Sequence, residues 1–397
     1  MCEFPQHAPG EKRRAVKSIE RWLDCHAGAM VSATFAETKS AARGSERIIE
    51  QSFDATASVP LPSDPLPWSD ALTASGRGET LANITRMTIP HLRILDTDGS
   101  VDAQMLRDAA PWASTSEMDL RDLGPALRLW SRRKTIDIAR ARLAQAGDLR
   151  PSVSFLGSGD FHHLAVLLIE RVREPLSVLH IDNHPDWVKL APRWHCGSWI
   201  NRVLELPNVQ RVVTVGPCSD DLVDPARKGG NLAALDAGRL VLFPWQHAPS
   251  RVRRRIQDGR GHEWRNGALH WRNLAERQLL EACGMVVAAL PETAVWITID
   301  KDVLPEDEAL TNWDQGRMPL AAVLETIRAV AAARRVIGAD VCGEYSPPAH
   351  ANWFKRIEAR MDQPRRRSNA DALTANSRTD SALAAALFEA CNRSTLQ

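Results

Sequence analysis

The sequence predicts an α/β protein, built on a mainly parallel sheet with helices on both faces. Strand-like apolar runs alternate with helical patterns along the chain, which is typical of parallel α/β domains. Several of these runs are short and almost wholly apolar, as expected of strands buried on both faces. Clusters of Asp and His directly follow two of the runs, at the edge where such sheets place their ligand sites. The length of 397 residues allows one large α/β domain with additional segments.

The individual elements follow from the same patterns. Apolar runs bounded by polar or turn residues predict strands over 152–156, 176–179, 210–215, 239–243, 295–298 and 335–339. A surface helix is predicted over 127–146, leading into the strand at 152, and an apolar helix over 162–171.

Composition divides the chain into three regions. Residues 1–84 are rich in Ala, Ser, Thr, Pro and charge, which indicates a partly disordered N-terminal extension. Periodic patterns begin near residue 85, and we expect a catalytic domain over 85–362. The remaining residues, 363–397, are predicted to be a C-terminal tail, polar and mobile from Pro364 to about Thr379.

Charge and cysteine usage narrow the function classes. The net charge of +1 indicates neither nucleic acid nor an anionic membrane surface as a partner. The segment 251–277 interleaves arginines with Trp264 and Trp271, and we interpret it as a solvated surface or a contact in a homo-oligomer. No run has the length of a membrane-spanning helix, and the first thirty residues are a poor secretory signal. Seven cysteines without paired spacing indicate reduced thiols and a cytoplasmic protein.

Two acidic segments carry the main functional signal. Side chains alternate along a strand, so Asp182 and His184 point to one side, and Asp186 can swing back from the following turn. By the same period Asp300 and Asp302 share a side, while the residue between them, Lys301, points away. So many carboxylates at one sheet edge would repel one another unless cations neutralised them. Two divalent metal ions are therefore predicted.

A third segment adds histidine to this edge. A tight turn over 157–161 follows the strand at 152, and His162 comes directly after it, with His163 as the alternative ligand. Mixed His and Asp ligation without a thiolate favours manganese, with iron, zinc and cobalt as alternatives, over a Cys-rich zinc site. The other histidines, including His180, are interpreted as structural or surface residues.

These three segments resemble the arginase and agmatinase (ureohydrolase) family. That family carries a Gly-Gly-Asp-His turn, an Asp-x-His-x-Asp strand end and an Asp-x-Asp strand end in this order, matched here at 159–162, 182–186 and 300–302. The resemblance covers roughly residues 150–350 and implies an arginase-like fold with two Mn²⁺ ions per chain. It implies that one ion is bound by His162, Asp182, Asp186 and Asp300, and the other by Asp182, His184, Asp300 and Asp302. Asp182 and Asp300 would then bridge the two ions.

The resemblance also implies catalytic roles. Glu344, at the end of a strand before proline, would bind the substrate's guanidinium group, and His195 lies in a counterpart of the family's His-Gly turn. Asp302 would steady the nucleophile, and His195 or His163 would deliver a proton to the leaving amine. The implied reaction is metal-assisted hydrolysis of a C–N bond in a small guanidino, amidino or formimino substrate.

Departures from the family pattern leave other functions open. Phe161 is an extra residue before the histidines, Gly343 is an extra residue before Glu344, and the segment 187–194 lacks the Asn and Ser residues with which arginases hold an amino acid. One alternative is a deacetylase-like amide hydrolase with a single zinc, which would use His162 and His163 as an acid/base pair. Another is a non-catalytic descendant that keeps its metal site. The presence of both Asp186 and Asp302 favours the binuclear interpretation.

Overall fold

The computed structural model describes residues 89–147, 151–190, 194–347, 349–364 and 370–393. All of them lie within the compact unit Thr85–Gln397. The predicted extension over residues 1–84 lies outside the described residues. Among the helices in the described ranges, none combines the length and the apolar character needed to cross a membrane.

Thirteen strands are found in the described residues. They are β1 His91–Asp96, β2 Thr115–Asp119, β3 Trp130–Ser131, β4 Ser152–Phe155, β5 Leu176–Ile181, β6 Trp194–His195, β7 Val209–Val215, β8 Leu240–Phe243, β9 Ser250–Arg251, β10 His262–Arg265, β11 Ala268–Trp271, β12 Ala294–Asp300 and β13 Val336–Cys342. Eight of them form one parallel sheet in the order β2-β1-β4-β13-β12-β5-β7-β8. One smaller antiparallel sheet pairs β3 with β6, and another has the order β10-β11-β9, so the arginine-rich segment 251–277 is partly sheet.

Ten α-helices accompany the sheet. They are α1 Ala103–Asp108, α2 Gly124–Leu127, α3 Arg133–Gln145, α4 Ala165–Ile169, α5 Trp199–Glu205, α6 Leu232–Asp236, α7 Leu279–Ala289, α8 Leu320–Ala333, α9 Trp353–Asp362 and α10 Ala370–Arg393, all counted within the described ranges. Two 3₁₀ turns, Gly159–Leu164 and Lys301–Val303, directly follow strands β4 and β12 and carry candidate site residues.

Helices cover both faces of the sheet, as predicted. One core packs Leu179 and Ile181 of β5 against helices α7, α8 and α10. A second core packs Val178, on the other side of the same strand, against helices α3 to α6. Because strand residues alternate between the two cores, the site residues at the strand ends are also sorted to one side or the other.

Some element boundaries differ from the predictions. Strands β1 and β2 were not predicted. Strand β2 lies at the edge of the sheet, and its residues are exposed or half-buried. The helix predicted over 127–146 begins at Arg133, because Leu129 takes a positive φ of 63° and Trp130 pairs with His195 in β3 and β6. The helix predicted from residue 162 starts as the 3₁₀ turn and becomes α-helical at Ala165.

The prediction of a polar, mobile stretch from Pro364 to about Thr379 is wrong from Ala370 onward. Residues Ala370–Arg393 form the long helix α10, which buries Leu383, Leu387 and Cys391 in the same core as β13 and α8. Asn376 and Asp380 are also buried. The sequence of this segment is polar, but these polar groups form hydrogen bonds inside the protein rather than with solvent.

Candidate metal centre

The fold brings the three predicted segments together at the carboxyl ends of neighbouring strands. The turn with His162 follows β4, Asp182 follows β5 and Asp300 ends β12, with β13 lying between β4 and β12. This edge of a parallel sheet is where α/β proteins place their ligand sites. The side chains that meet there fall into two adjoining groups.

The first group surrounds Nδ1 of His162. This nitrogen lies 3.2 Å from Asp182 Oδ2, 3.4 Å from Asp186 Oδ2 and 3.7 Å from Asp300 Oδ2. All four residues are buried, and Asp186 reaches the group from a backbone with a φ of 47°. The turn that contains Asp186 therefore folds back as the spacing predicted.

The ligand atoms of these residues lie close enough together to hold a metal ion. His162 Nε2 is bonded to Thr298 Oγ1 at 2.8 Å, whereas Nδ1 is buried without a hydrogen-bond partner. A buried ring nitrogen and the carboxylate oxygens that it faces repel one another unless a positive charge, either a proton or a metal ion, lies between them. Nitrogen and carboxylate oxygen together are a donor set suited to manganese, iron, cobalt or zinc.

The second group is centred on His184. Its Nδ1 lies 2.9 Å from Asp302 Oδ2 and 3.6 Å from Asp182 Oδ1, so Asp182 faces both groups through different oxygens. The other ring nitrogen, Nε2, lies 3.0 Å from Asp314 Oδ1. A carboxylate on the far nitrogen of a metal-binding histidine is the usual device that orients such a ligand. Asp314 was not predicted, because it comes from a loop that only the fold brings to His184.

The protonation equilibria reflect an excess of negative charge. Burial and the neighbouring Asp182 raise the pKa of Asp186 to about 6, and burial with Asp182 and Asp300 raises the pKa of Asp302 well above its usual range. Burial opposes protonation of His162, but Asp182 and Asp186 outweigh it and raise the pKa of the imidazole well above its ordinary value. Without a metal ion, these carboxylates therefore bind protons more readily than usual. Bound metal ions could neutralise their negative charge instead.

Two further residues lie at the cluster. His180, interpreted from the sequence as an ordinary structural or surface histidine, has Nε2 at 2.9 Å from Asp182 Oδ2, and this correction follows from its position two residues before Asp182 in β5. Cys342 ends β13, and its thiol lies 3.3 Å from Asp300 Oδ2. Burial and the charge of Asp300 raise the pKa of this thiol well above its usual value, so it stays protonated beside the carboxylate.

His163 and His195 lie in different surroundings. His163 is buried, neither ring nitrogen has a hydrogen-bond partner, and burial holds its pKa well below the ordinary value. His195 uses both nitrogens, since Nδ1 accepts a bond from the Gly197 amide at 2.9 Å and Nε2 lies 3.0 Å from Glu358 Oε1. His195 is therefore held in place by partners outside the carboxylate cluster.

Glu344, which the resemblance implies would bind a guanidinium group, is paired with other groups of the protein. Its carboxylate accepts hydrogen bonds from Lys301 Nζ and from Asn376 Nδ2, the latter at 3.2 Å. The residue beside Asp300 is instead Gly343, with a φ of 98° and so little space that a Cβ there would lie 2.5 Å from Asp300 Oδ1. The extra glycine thus directs Glu344 to Lys301, on the other side of the strand end.

Comparisons with known proteins give the following similarities. No family model matches the chain. An uncharacterized protein of Thermotoga maritima is 24% identical over 265 residues, which are 66% of this chain and 82% of that protein.

Solved structures with similar folds include ureohydrolases. The proclavaminate amidino hydrolase from Streptomyces clavuligerus has a TM-score of 0.49 at 14% identity, covering 79% of this chain and 94% of that one. The arginase from Medicago truncatula has a TM-score of 0.47 at 14% identity, covering 77% and 87%. Values this low do not by themselves assign a family or an activity to the chain.

Proposed function

We propose that the protein is a binuclear metal-dependent hydrolase of non-peptide C–N bonds, of the arginase and agmatinase type. The supporting observation is the pair of adjoining His and Asp groups that share Asp182, with His162 Nδ1 buried and unpartnered between carboxylates. In this proposal Asp182 and Asp300 bridge two ions, Asp186 and His162 complete one site, and His184 and Asp302 complete the other.

Manganese is the proposed metal. The donors are imidazoles and carboxylates, while Cys342 is held as a thiol by burial and by Asp300. Divalent ions bound here would supply Lewis acidity and make a hydrolytic nucleophile available near neutral pH. The trigonal carbon of a guanidino, amidino or formimino group is the proposed point of attack.

The chain's own residues would supply the remaining functions. Asp302 Oδ1 accepts a hydrogen bond from the backbone N–H of Asn183 at 3.1 Å. This bond fixes the carboxylate that would steady the nucleophile. His195 or His163 would deliver a proton to the leaving amine: both nitrogens of His195 are engaged, whereas those of His163 are unpartnered but its pKa is lowered by burial. Glu344 binds the ammonium group of Lys301, which gives its carboxylate a cation other than the substrate.

The deacetylase-like alternative is less well supported. It needs His162 and His163 as an acid/base pair, but His162 Nδ1 faces Asp182, Asp186 and Asp300 as a ligand would. A small-molecule substrate and a cytoplasmic location are part of the proposal. The location is supported by the five described cysteines, which are all free.

Metal counting and an activity screen test the proposal together. The protein, loaded with Mn²⁺ and dialysed, is analysed for metal per chain and assayed on guanidino, amidino, formimino and acetylated amines. Release of urea, ammonia or formamide is the readout, and Asp182→Ala serves as the metal-depleted control. We expect two Mn²⁺ per chain and turnover of at least one guanidino, amidino or formimino compound.

Other outcomes would replace the proposal. A single zinc with turnover of an acetylated amine would indicate the deacetylase-like enzyme. Full metal loading without turnover of any compound in the panel would indicate a non-catalytic metal-binding protein.

A further inference from the structure

A row of polar side chains crosses the sheet directly beneath the metal cluster. Thr214 of β7, His180 of β5, Thr298 of β12 and Asp340 of β13 pair in register across four neighbouring strands. Each is fully buried. His180 and Thr298 lie two residues before Asp182 and Asp300, so the row faces the same side as the cluster.

The direction of the hydrogen bonds in this row is fixed by its members' chemistry. Trp296 Nε1, which can only donate, is 2.5 Å from Asp340 Oδ2, and Thr298 Oγ1 donates to Asp340 Oδ1 at 2.7 Å. A hydroxyl has a single proton, so Thr298 must accept the bond from His162 Nε2 at 2.8 Å. His162 therefore carries a proton on Nε2, so Nδ1, which faces the carboxylates, is the nitrogen that can exchange its own proton for a metal ion.

We propose that Thr298 and Asp340 are positioning residues that hold His162 in its metal-binding tautomer. The inference rests on the proposed metal centre, but not on any catalytic turnover. Partners of this kind orient a histidine ligand and commonly change metal affinity by about tenfold to a hundredfold when they are lost. His162 is the residue through which they act.

Asp340→Asn offers a specific test, because an amide has only one oxygen. Trp296 cannot accept a bond, so the amide oxygen turns to Trp296 and the NH₂ group faces Thr298. Thr298 then accepts from the amide and donates to His162 Nε2, which reverses the chain of bonds. His162 takes the Nδ1–H tautomer, whose proton occupies the position meant for the ion.

The experiment measures binding of Mn²⁺ alone to the metal-free full-length chain, by competition with a chelator. The variants are Thr298→Val, Thr298→Ser and Asp340→Asn. The control is Thr326→Val, which removes a buried threonine hydroxyl that is bonded outside the row, to Ala322 O at 2.8 Å and to Cys283 Sγ at 3.8 Å. Urea unfolding of each metal-free variant reports any loss of folding, and ¹⁵N NMR of labelled histidine, recorded at a pH high enough to leave His162 neutral, reports the His162 tautomer.

We expect Thr298→Val and Asp340→Asn to weaken the Mn²⁺ site that contains His162 by about tenfold to a hundredfold. Thr298→Ser and Thr326→Val should bind Mn²⁺ like wild type, and Asp340→Asn should move the imidazole proton from Nε2 to Nδ1. If Thr298→Val does not fold, Asp340→Asn and Thr298→Ser decide the matter. Wild-type affinity and an unchanged His162 tautomer in Asp340→Asn would overturn the proposal.

Discussion

Lys301 Nζ lies 2.6 Å from Asp380 Oδ1, an ion pair that joins the turn between Asp300 and Asp302 to helix α10. Glu344 binds the same ammonium group, and all three residues are buried. The C-terminal helix is thus attached to the backbone that presents two of the candidate metal ligands. A buried charge that loses its partner destabilises the folded protein. We therefore expect this ion pair to contribute to both the stability of the fold and the binding of metal.

Lys301→Met should destabilise the protein by about 3–5 kcal/mol, because it leaves the Glu344 and Asp380 carboxylates buried without their cation. Arg393→Met is the matched control, since it removes an exposed cation that lies 4.0 Å from Glu389, and it should change stability by about 1 kcal/mol or less. Urea unfolding measures both. Equal stability of the two variants would show that the buried ion pair is dispensable.

Asp182→Ala and Asp300→Ala should each lose both metal ions, because each carboxylate is proposed to bridge. Asp186→Ala and His162→Ala should mainly empty one site. Metal analysis after dialysis distinguishes these patterns. Retention of both ions by Asp300→Ala would contradict the bridging assignment.

His162→Asn and His163→Asn should separate the two histidines by role. The first should lower metal content and activity together, because His162 Nδ1 faces Asp182, Asp186 and Asp300. The second should keep both ions and lower the rate, by about a hundredfold or more if His163 is the proton donor. Full metal content in both variants, with both rates reduced by orders of magnitude, would indicate an acid/base pair instead.

Glu344→Gln should act on folding rather than on substrate binding. The substitution weakens a charged hydrogen bond to Lys301, and we expect a loss of stability of about 1.5–3 kcal/mol with KM unchanged. Urea unfolding and steady-state kinetics on a substrate found by screening are the measurements. A tenfold rise in KM at unchanged stability would restore Glu344 to the substrate site.

The metal-free protein should lose stability as pH rises, through Asp186. The folded pKa of Asp186, about 6, lies above its ordinary value of 3.8, so its contribution is present below pH 3.8 and lost as pH rises through 6. Asp186→Asn cannot ionise, and should gain up to about 3 kcal/mol relative to wild type between pH 4 and pH 7. Urea unfolding with a chelator present tests this. A difference that does not change with pH would mean that Asp186 ionises normally.

The sequence alone predicted much of the sheet and most of the candidate site. Strands β4, β5, β7, β8, β12 and β13 are short apolar runs, and local composition is enough to recognise them. The alternation of side chains along a strand predicted that Asp300 and Asp302 share one side while Lys301 points to the other. This alternation too is a local property. Strand β2 was missed because its exposed and half-buried residues lack the apolar pattern of the inner strands.

The sequence by itself determined the α/β class and the acidic segments at the ends of β5 and β12, because both depend on near neighbours in the chain. Only the tertiary structure decided which distant groups meet: Asp314 with His184, Thr298 with His162, and Glu344 with Lys301. The prediction of a mobile stretch near the C-terminus was wrong for the same reason. Asn376 and Asp380 look solvated in sequence, and only the packing of α10 on the core supplies buried partners that satisfy them.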